Sequence, residues 1–233
     1  MLQRPTDVIV SSAETVNAFM RGVYLWMSIG LGLTAVLAYL TVNNMALRGF
    51  VLGSSGVYFG LLIAEVILVF VISASIQKLS GTAATGLFLL YSALNGLTLS
   101  AILLVYTNES VFQAFFTAAG MFAAMSIYGM VTKRDLTKLG SFLFMGLVGI
   151  LIAMVINMFV QSGPLALGIS ILGVFIFLGL TAYDTQYLRN MGESAPMDDP
   201  TAIRRGTIMG ALKLYLDFIN LFIMLLRLIG DRR

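Results

Sequence analysis

The sequence predicts an all-α integral membrane protein, a bundle of seven transmembrane helices with the last helix at its centre. Three observations predict it. Of the 233 residues, 59% are hydrophobic and only 11% charged, where a soluble domain carries about 45–50% and about 25%. The apolar residues fall in seven runs, each near or beyond the roughly 20 residues that cross a bilayer as helix. The final run carries a polar stripe down one side, which belongs against protein or water and not lipid. Mean hydropathy is +0.95.

Helix is the only spanning structure for such runs, because unpaired strand edges have no partner in hydrocarbon. A β-barrel would need alternating segments of roughly 10 residues. Continuous stretches such as Val57–Ile72 argue against one.

The chain opens on residues 1–22, which carry Arg4, Asp7, Glu14 and Arg21 and have no continuous apolar core. That stretch is expected to be a short cytoplasmic tail without a signal peptide, followed by one seven-helix domain over 23–233. The apolar runs cover 23–42, 56–76, 82–105, 111–131, 139–161, 165–187 and 206–229. Asn43-Asn44 ends the first, and Leu79-Ser80-Gly81-Thr82 separates the second from the third. Thr107-Asn108-Glu109-Ser110 precedes the fourth, with its Asn or Ser as the expected cap. Gln161-Ser162-Gly163-Pro164 reads as a tight turn with proline near the start of a helix. The longest loop, Arg189–Arg205, contains Pro196, Asp198, Asp199 and Pro200. Glycines pair at close spacing within or beside spans: Gly146 with Gly149, Gly168 with Gly173, Gly206 with Gly210. Small residues there let membrane helices approach closely. The 14 methionines are scattered and read as packing.

Lys and Arg in the loops set the orientation. Arg4, Arg21, Lys78, Lys133, Arg134, Lys138, Arg189, Arg204 and Arg205 fall on one side, nine residues against three (Arg48, Arg232, Arg233) on the other. The amino terminus is therefore expected in the cytoplasm. The basic carboxyl end dissents, and a last segment that re-enters instead of crossing would bring it back inside.

The sequence contains no cysteine and no histidine, which excludes disulfides, thiol catalysis and the usual zinc sites. No metalloprotease helix, serine elbow or phosphate loop is present, so the residues do not point to an enzyme. Nothing suggests a nucleic-acid partner. The informative groups are ionisable residues inside apolar runs, where charge is expensive and usually marks a pathway, a relay or a structural pair. In the seventh run Gly206, Gly210, Lys213, Asp217, Asn220, Met224 and Arg227 recur at alternating steps of four and three, one stripe of a helix. Lys213 and Asp217 are i, i+4 neighbours. Asp184 closes the sixth run, within about one turn of the cytoplasmic edge. Glu65 stands alone between Ile63-Ala64 and Val66-Ile67, so it must be protonated or paired across helices. Asn95 with Tyr91 and Thr98, together with Asn157, Ser126 and Ser28, reads as polar glue between helices. Three carboxylates without histidine suit a proton or a hard cation such as calcium.

Leu180–Gln186 (LTAYDTQ) and Ala211–Arg227 (ALKLYLDFINLFIMLLR) resemble the two signature segments of the transmembrane Bax-inhibitor-motif family. Thr132–Leu136 (TKRDL) and Met191-Gly192-Glu193 resemble its bacterial YbhL-type members. The resemblance covers roughly 17–233. It implies a seven-helix bundle of a bacterial inner membrane and a pH-sensitive calcium leak. By motif match, Asp184 and Asp217 would share a proton that opens or closes a pore. Glu65 matches an acidic residue on the second helix; the polar stripe of the last run adds Lys213, Asn220 and Arg227 as residues expected to line or gate the path. The resemblance implies calcium and protons as the ions handled, calcium as a passing contact of Asp184 and Asp217, and no tightly bound cofactor. Where leak-forming bacterial members carry a basic cluster after the second helix, this chain has only Gln77-Lys78.

Two other roles stay open. Some bacterial members bind a membrane AAA protease through the amino tail, and a proton-coupled solute transporter would use the same carboxylates. Geometry poses one problem for a shared proton. With the sixth helix ending near Gln186, Asp217 sits about 11 residues into the next helix, about 16 Å along it. The two aspartates meet only if the sixth helix extends past Gln186 or the seventh begins later.

Overall fold

The computed structural model describes residues 5–194 and 199–233, with side chains from residue 14 onward. Its elements are α1 (Pro5–Asn43), α2 (Met45–Leu52), α3 (Ser55–Ser75), α4 (Gly81–Val105), α5 (Asn108–Val131), α6 (Thr137–Val160), α7 (Gly163–Glu193) and α8 (Pro200–Ile229). All but α2 are long and apolar enough to cross a membrane, seven in number as the sequence predicts. Among the described residues there is no strand, only an isolated bridge between Tyr106 and Arg232.

Most of the boundaries follow local chemistry. Asn44 accepts from Leu47 N and starts the short α2, an element the sequence reading lacks. Ser80 caps α4 through Ala83 N, and Asp199 caps α8 through Thr201 N and Ala202 N, with Pro200 at the first helical position. The cap of α5 is Thr107, which accepts from Ser110 N; neither Asn108 nor Ser110 fills that place. Gln161 ends α6 in the left-handed region at φ 51°, which lets the chain reverse in the short turn before α7.

Three helices are longer than expected. Within the stretch expected as a tail, α1 is already helical at Pro5, and Val16, Phe19, Met20 and Val23 are buried at i, i+3, i+4 and i+7 spacing. α7 runs to Glu193 because Leu188, fully buried, carries the apolar face past Gln186. α8 begins at Pro200, six residues before the expected run. Arg4, Pro196 and Asp198, used above for orientation and loop, lie outside the described residues.

The chain divides into two compact units, and α8 contributes to both. The first holds Met1–Val105 and Leu188–Tyr215. There α4 packs against α1 and α3, and a Cβ at Gly96 would stand 2.6 Å from Thr34 O, so these helices touch backbone to backbone. Phe19 of α1 lies over Gly192 and Gly206, and Leu188 over Gly210. At the start of α8, Arg204 stacks 4.2 Å from the Trp26 ring and donates to Thr85, while Arg205 donates to Leu79 O.

The second unit holds Tyr106–Tyr187 and Leu216–Arg233. Gly129, Gly140 and Gly179 let α7 close on α5 and α6, against Ala182, Tyr183 and Leu143 respectively. Phe218 of α8 meets Phe115 and Phe122 of α5 edge-on at 5.4 and 5.6 Å. In α8, 72% of the apolar stretch is buried, against 11–44% in the other six spans. It is the helix most enclosed by protein, as a polar stripe requires.

Candidate functional site

Asp184 and Asp217 both belong to the second unit and are both buried, at 6% and 5% exposure. Their placement follows from one contact between antiparallel helices: Met224 of α8 fills the notch at Gly173 of α7. Asp217 is seven residues before Met224, two turns back on the same face of α8. Asp184 is 11 residues after Gly173, three turns on along the same face of α7. Both carboxyl groups therefore point into the α7–α8 seam. Counting back from that contact gives about 10 Å for Asp217 and about 16 Å for Asp184. They stand within about one turn of the same level. The mismatch expected from sequence narrows because α7 continues past Gln186. The other route, a late start of α8, does not occur.

The rest of the LTAYDTQ segment builds the walls. Thr181 donates to Phe177 O within its own helix at 2.7 Å. Tyr183 covers Gly140. Gln186 holds the α5–α6 loop with both ends of its amide: Oε1 accepts from Leu136 N at 2.9 Å and Nε2 donates to Arg134 O at 2.8 Å. The TKRDL segment and the LTAYDTQ segment are thus one structural joint.

The remaining α8 residues differ in surroundings. Lys213 and Asn220 are half-buried, and Arg227 is exposed in the last turn. Asn220 donates to Leu216 O, one turn back on its own helix, at 2.8 Å. With Leu216 and Ile223 these three form the least buried edge of α8. That edge is narrower than the expected stripe, since Gly210, Asp217 and Met224 are enclosed.

Glu65 belongs to the first unit and is 6% exposed. Its hydrogen-bond partners are on α4. Thr98 donates to Oε1 at 2.7 Å and Asn95 Nδ2 to Oε2 at 3.0 Å. Both partners are neutral, so the expected alternative of an ion pair is not what holds it. Asn95 Oδ1 in turn accepts from Tyr215 OH at 3.0 Å, and Tyr215 OH meets Thr34 Oγ1 at 2.6 Å. Asn95 and Thr98, read from sequence as glue, are the carboxylate's own ligands. Tyr215 and Thr34 were not legible as members of any site, though Tyr215 stands inside the second signature segment.

Among the described residues no three acidic side chains gather as a metal-holding group.

Comparison with known proteins gives the lineage. A family model described as "Inhibitor of apoptosis-promoting Bax1" matches residues 16–233. The chain belongs to the Bax inhibitor family. Inside this family the chain is 49% identical over 228 residues to the inner membrane protein YbhL of Escherichia coli K12, covering 98% of this chain and 97% of that protein. It is 48% identical over 217 residues to an uncharacterised protein of Borreliella burgdorferi, covering 93% of each. An uncharacterised membrane protein of Streptococcus pyogenes serotype M1 is 41% identical over 227 residues, covering 96% of each. As a Bax inhibitor family protein with seven spanning helices, the chain is a multi-pass membrane protein whose solvent is the lipid bilayer.

Proposed function

We propose that this protein is a pH-sensitive cation leak channel of a bacterial inner membrane, with its amino terminus in the cytoplasm, calcium as the permeant ion, and Asp184 with Asp217 as the gate. The carrying observation is that Asp184 and Asp217 are both buried, on helices that meet at Gly173 and Met224, within about one turn of each other in level. Two carboxylates held in one poorly solvated seam cannot both ionise cheaply. That cost favours one proton held between them, which joins α7 to α8 by a short hydrogen bond. Loss of the proton replaces the bond by repulsion and favours a second packing, a two-state element biased by pH. Lys213, one turn before Asp217, works against proton retention because its charge favours the ionised form. By that balance the transition falls within about pH 5 to 8.

The nine-to-three bias of basic residues supports the orientation, and the likeness to an inner membrane protein of Escherichia coli supports the membrane. Calcium rests on the family resemblance and on hard oxygen donors without histidine. The test is purified protein in liposomes containing a calcium indicator, read across about pH 5 to 8. A leak channel conducts without any partner. Silent liposomes, with an AAA protease captured from the membrane instead, would favour the regulatory role.

A further inference from the structure

The hydrogen bonds from Glu65 to Thr34 can be counted, and the count does not close with an ionised carboxylate. Four contacts run in line: Glu65 Oε2 to Asn95 at 3.0 Å, Asn95 to Tyr215 OH at 3.0 Å, Tyr215 OH to Thr34 Oγ1 at 2.6 Å, and Thr34 Oγ1 to Ser92 O at 2.8 Å. Each contact needs one hydrogen. With Asn95 Nδ2 turned to an ionised Glu65, the last three contacts have only the hydroxyl hydrogens of Tyr215 and Thr34. One contact then sets two oxygens against each other. Every member is buried: Glu65, Asn95 and Thr34 at 6%, 7% and 4%, Ser92 and Tyr215 at 0%. The unmatched contact is repulsive, because neither oxygen brings a hydrogen to it.

A half-turn of the Asn95 amide closes the count if Glu65 carries a proton. The carboxylic O–H then donates to Asn95 Oδ1, Asn95 Nδ2 to Tyr215 O, Tyr215 O–H to Thr34 Oγ1, and Thr34 O–H to Ser92 O. Four contacts have four hydrogens, all pointing the same way. Thr98 still donates to Oε1, now a carbonyl oxygen.

We propose that Glu65 is a proton-binding site whose occupancy is relayed through Asn95 and Tyr215 to Thr34, so that proton uptake on α3 completes the bonds tying α8 and α1 to α4. The relay lies wholly in the first unit and does not depend on the conduction reading. The titratable groups facing Glu65 are Tyr58 on α3, Tyr91 on α4 and Tyr215 on α8. All are phenols that stay neutral across the physiological range, and α1 contributes the hydroxyl of Thr34. Glu65 is thus the group in this network that changes charge.

The test is infrared difference spectroscopy of the full chain in lipid nanodiscs, titrated between about pH 4 and pH 9. A protonated-carboxyl band is expected that vanishes in Glu65→Gln, which assigns it. Tyr215→Phe and Thr34→Val touch no atom of Glu65, yet each should weaken proton binding about tenfold, the worth of one hydrogen bond. Thr34→Ser keeps the hydroxyl and should titrate as wild type. All four are near-isosteric and can be checked for folding by helical circular dichroism. The relay is overturned if no band is lost in Glu65→Gln, or if Tyr215→Phe and Thr34→Val leave the titration of a Glu65 band in place.

Discussion

Gln186 shows how one side chain can fix a loop. Its amide satisfies a backbone N–H and a backbone C=O of the α5–α6 connection at once, and Leu136 is 5% exposed. Gln186→Ala strands that buried N–H and should destabilise the protein by about 2–4 kcal/mol, two hydrogen bonds with one buried donor left unmatched. Chemical unfolding in mixed micelles reads this directly, and a loss below about 0.5 kcal/mol would mean the loop is held elsewhere. Nearby, Asp135 accepts from Thr137 N at 2.9 Å at the start of α6. Hydrogen bonds from the Thr137 side chain and backbone, with the Lys138 charge, hold its carboxyl below the ordinary range. A lowered folded value means the contact is present above the ordinary aspartate range and is lost only as pH falls through that lowered value. The protection of residues 132–138 against hydrogen exchange, taken relative to the unstructured rate at each pH, should therefore stay constant from about pH 8 to pH 5 and fall only below about pH 4. Loosening within the range of the Asp184–Asp217 transition would break this assignment. At this scale the sequence exposes ionisable residues well and neutral networks poorly. Glu65, Asp184 and Asp217 stand out because charge is rare in apolar runs. Tyr215 and Thr34 do not, because a tyrosine or threonine in a membrane helix is ordinary until its partner on another helix is known.

The helices themselves were legible, and their ends were less so. Seven runs became seven spans because the bilayer fixes their length. The sequence ends α7 early because Arg189-Asn190 look like a loop. Leu188 continues the buried face beneath them, and Arg189 pairs with Glu193 at 3.7 Å. The start of α8 was missed for a similar reason. Arg204 and Arg205 look like loop residues, yet they are helical and spend their donors on Thr85 and Leu79 O. The short α2 was invisible because eight residues carry too little periodicity. Glycine spacing was read correctly as close packing at some positions and not at others. Gly173 and Gly210 receive neighbours, whereas Gly149 and Gly168 have nothing within 4 Å of a Cβ. That contrast makes a matched prediction. Gly96→Ala drives a methyl to 2.6 Å from Thr34 O, backbone that cannot yield, and should cost about 1–3 kcal/mol. Gly120→Ala meets nothing within 4 Å and should be neutral or slightly stabilising, since alanine favours helix. Equal stability of the two variants would show that α1 and α4 do not pack backbone to backbone.

For the whole molecule, the fold class and family follow from the sequence, while the direction of the chain through the membrane rests on charge. α8 is one unbroken helix of 30 residues, about 45 Å long, which leaves no place for a re-entrant turn. The dissenting basic carboxyl end is tied locally in the second unit. Thr107 N donates to Asp231 O at 3.1 Å, Asp231 N to Ser110 Oγ at 2.8 Å, and Arg233 to Asn108 at 2.7 Å. The carboxyl end therefore lies beside the α4–α5 turn, on the side expected to face away from the cytoplasm. Reporter fusions should place residue 233 outside and the α5–α6 loop inside, and a cytoplasmic signal at residue 233 would reverse the orientation.

The most direct measurement is calcium flux into proteoliposomes across about pH 5 to 8, wild type beside Asp217→Asn. Under the proposed gate the wild type should change its flux severalfold through one transition, as a single shared proton would join or part α7 and α8. Asp217→Asn keeps the shape and a hydrogen-bonding group but removes the second negative charge, so its profile should be flat. An Asp217→Asn protein that conducts with the wild-type pH profile would contradict the shared-proton gate.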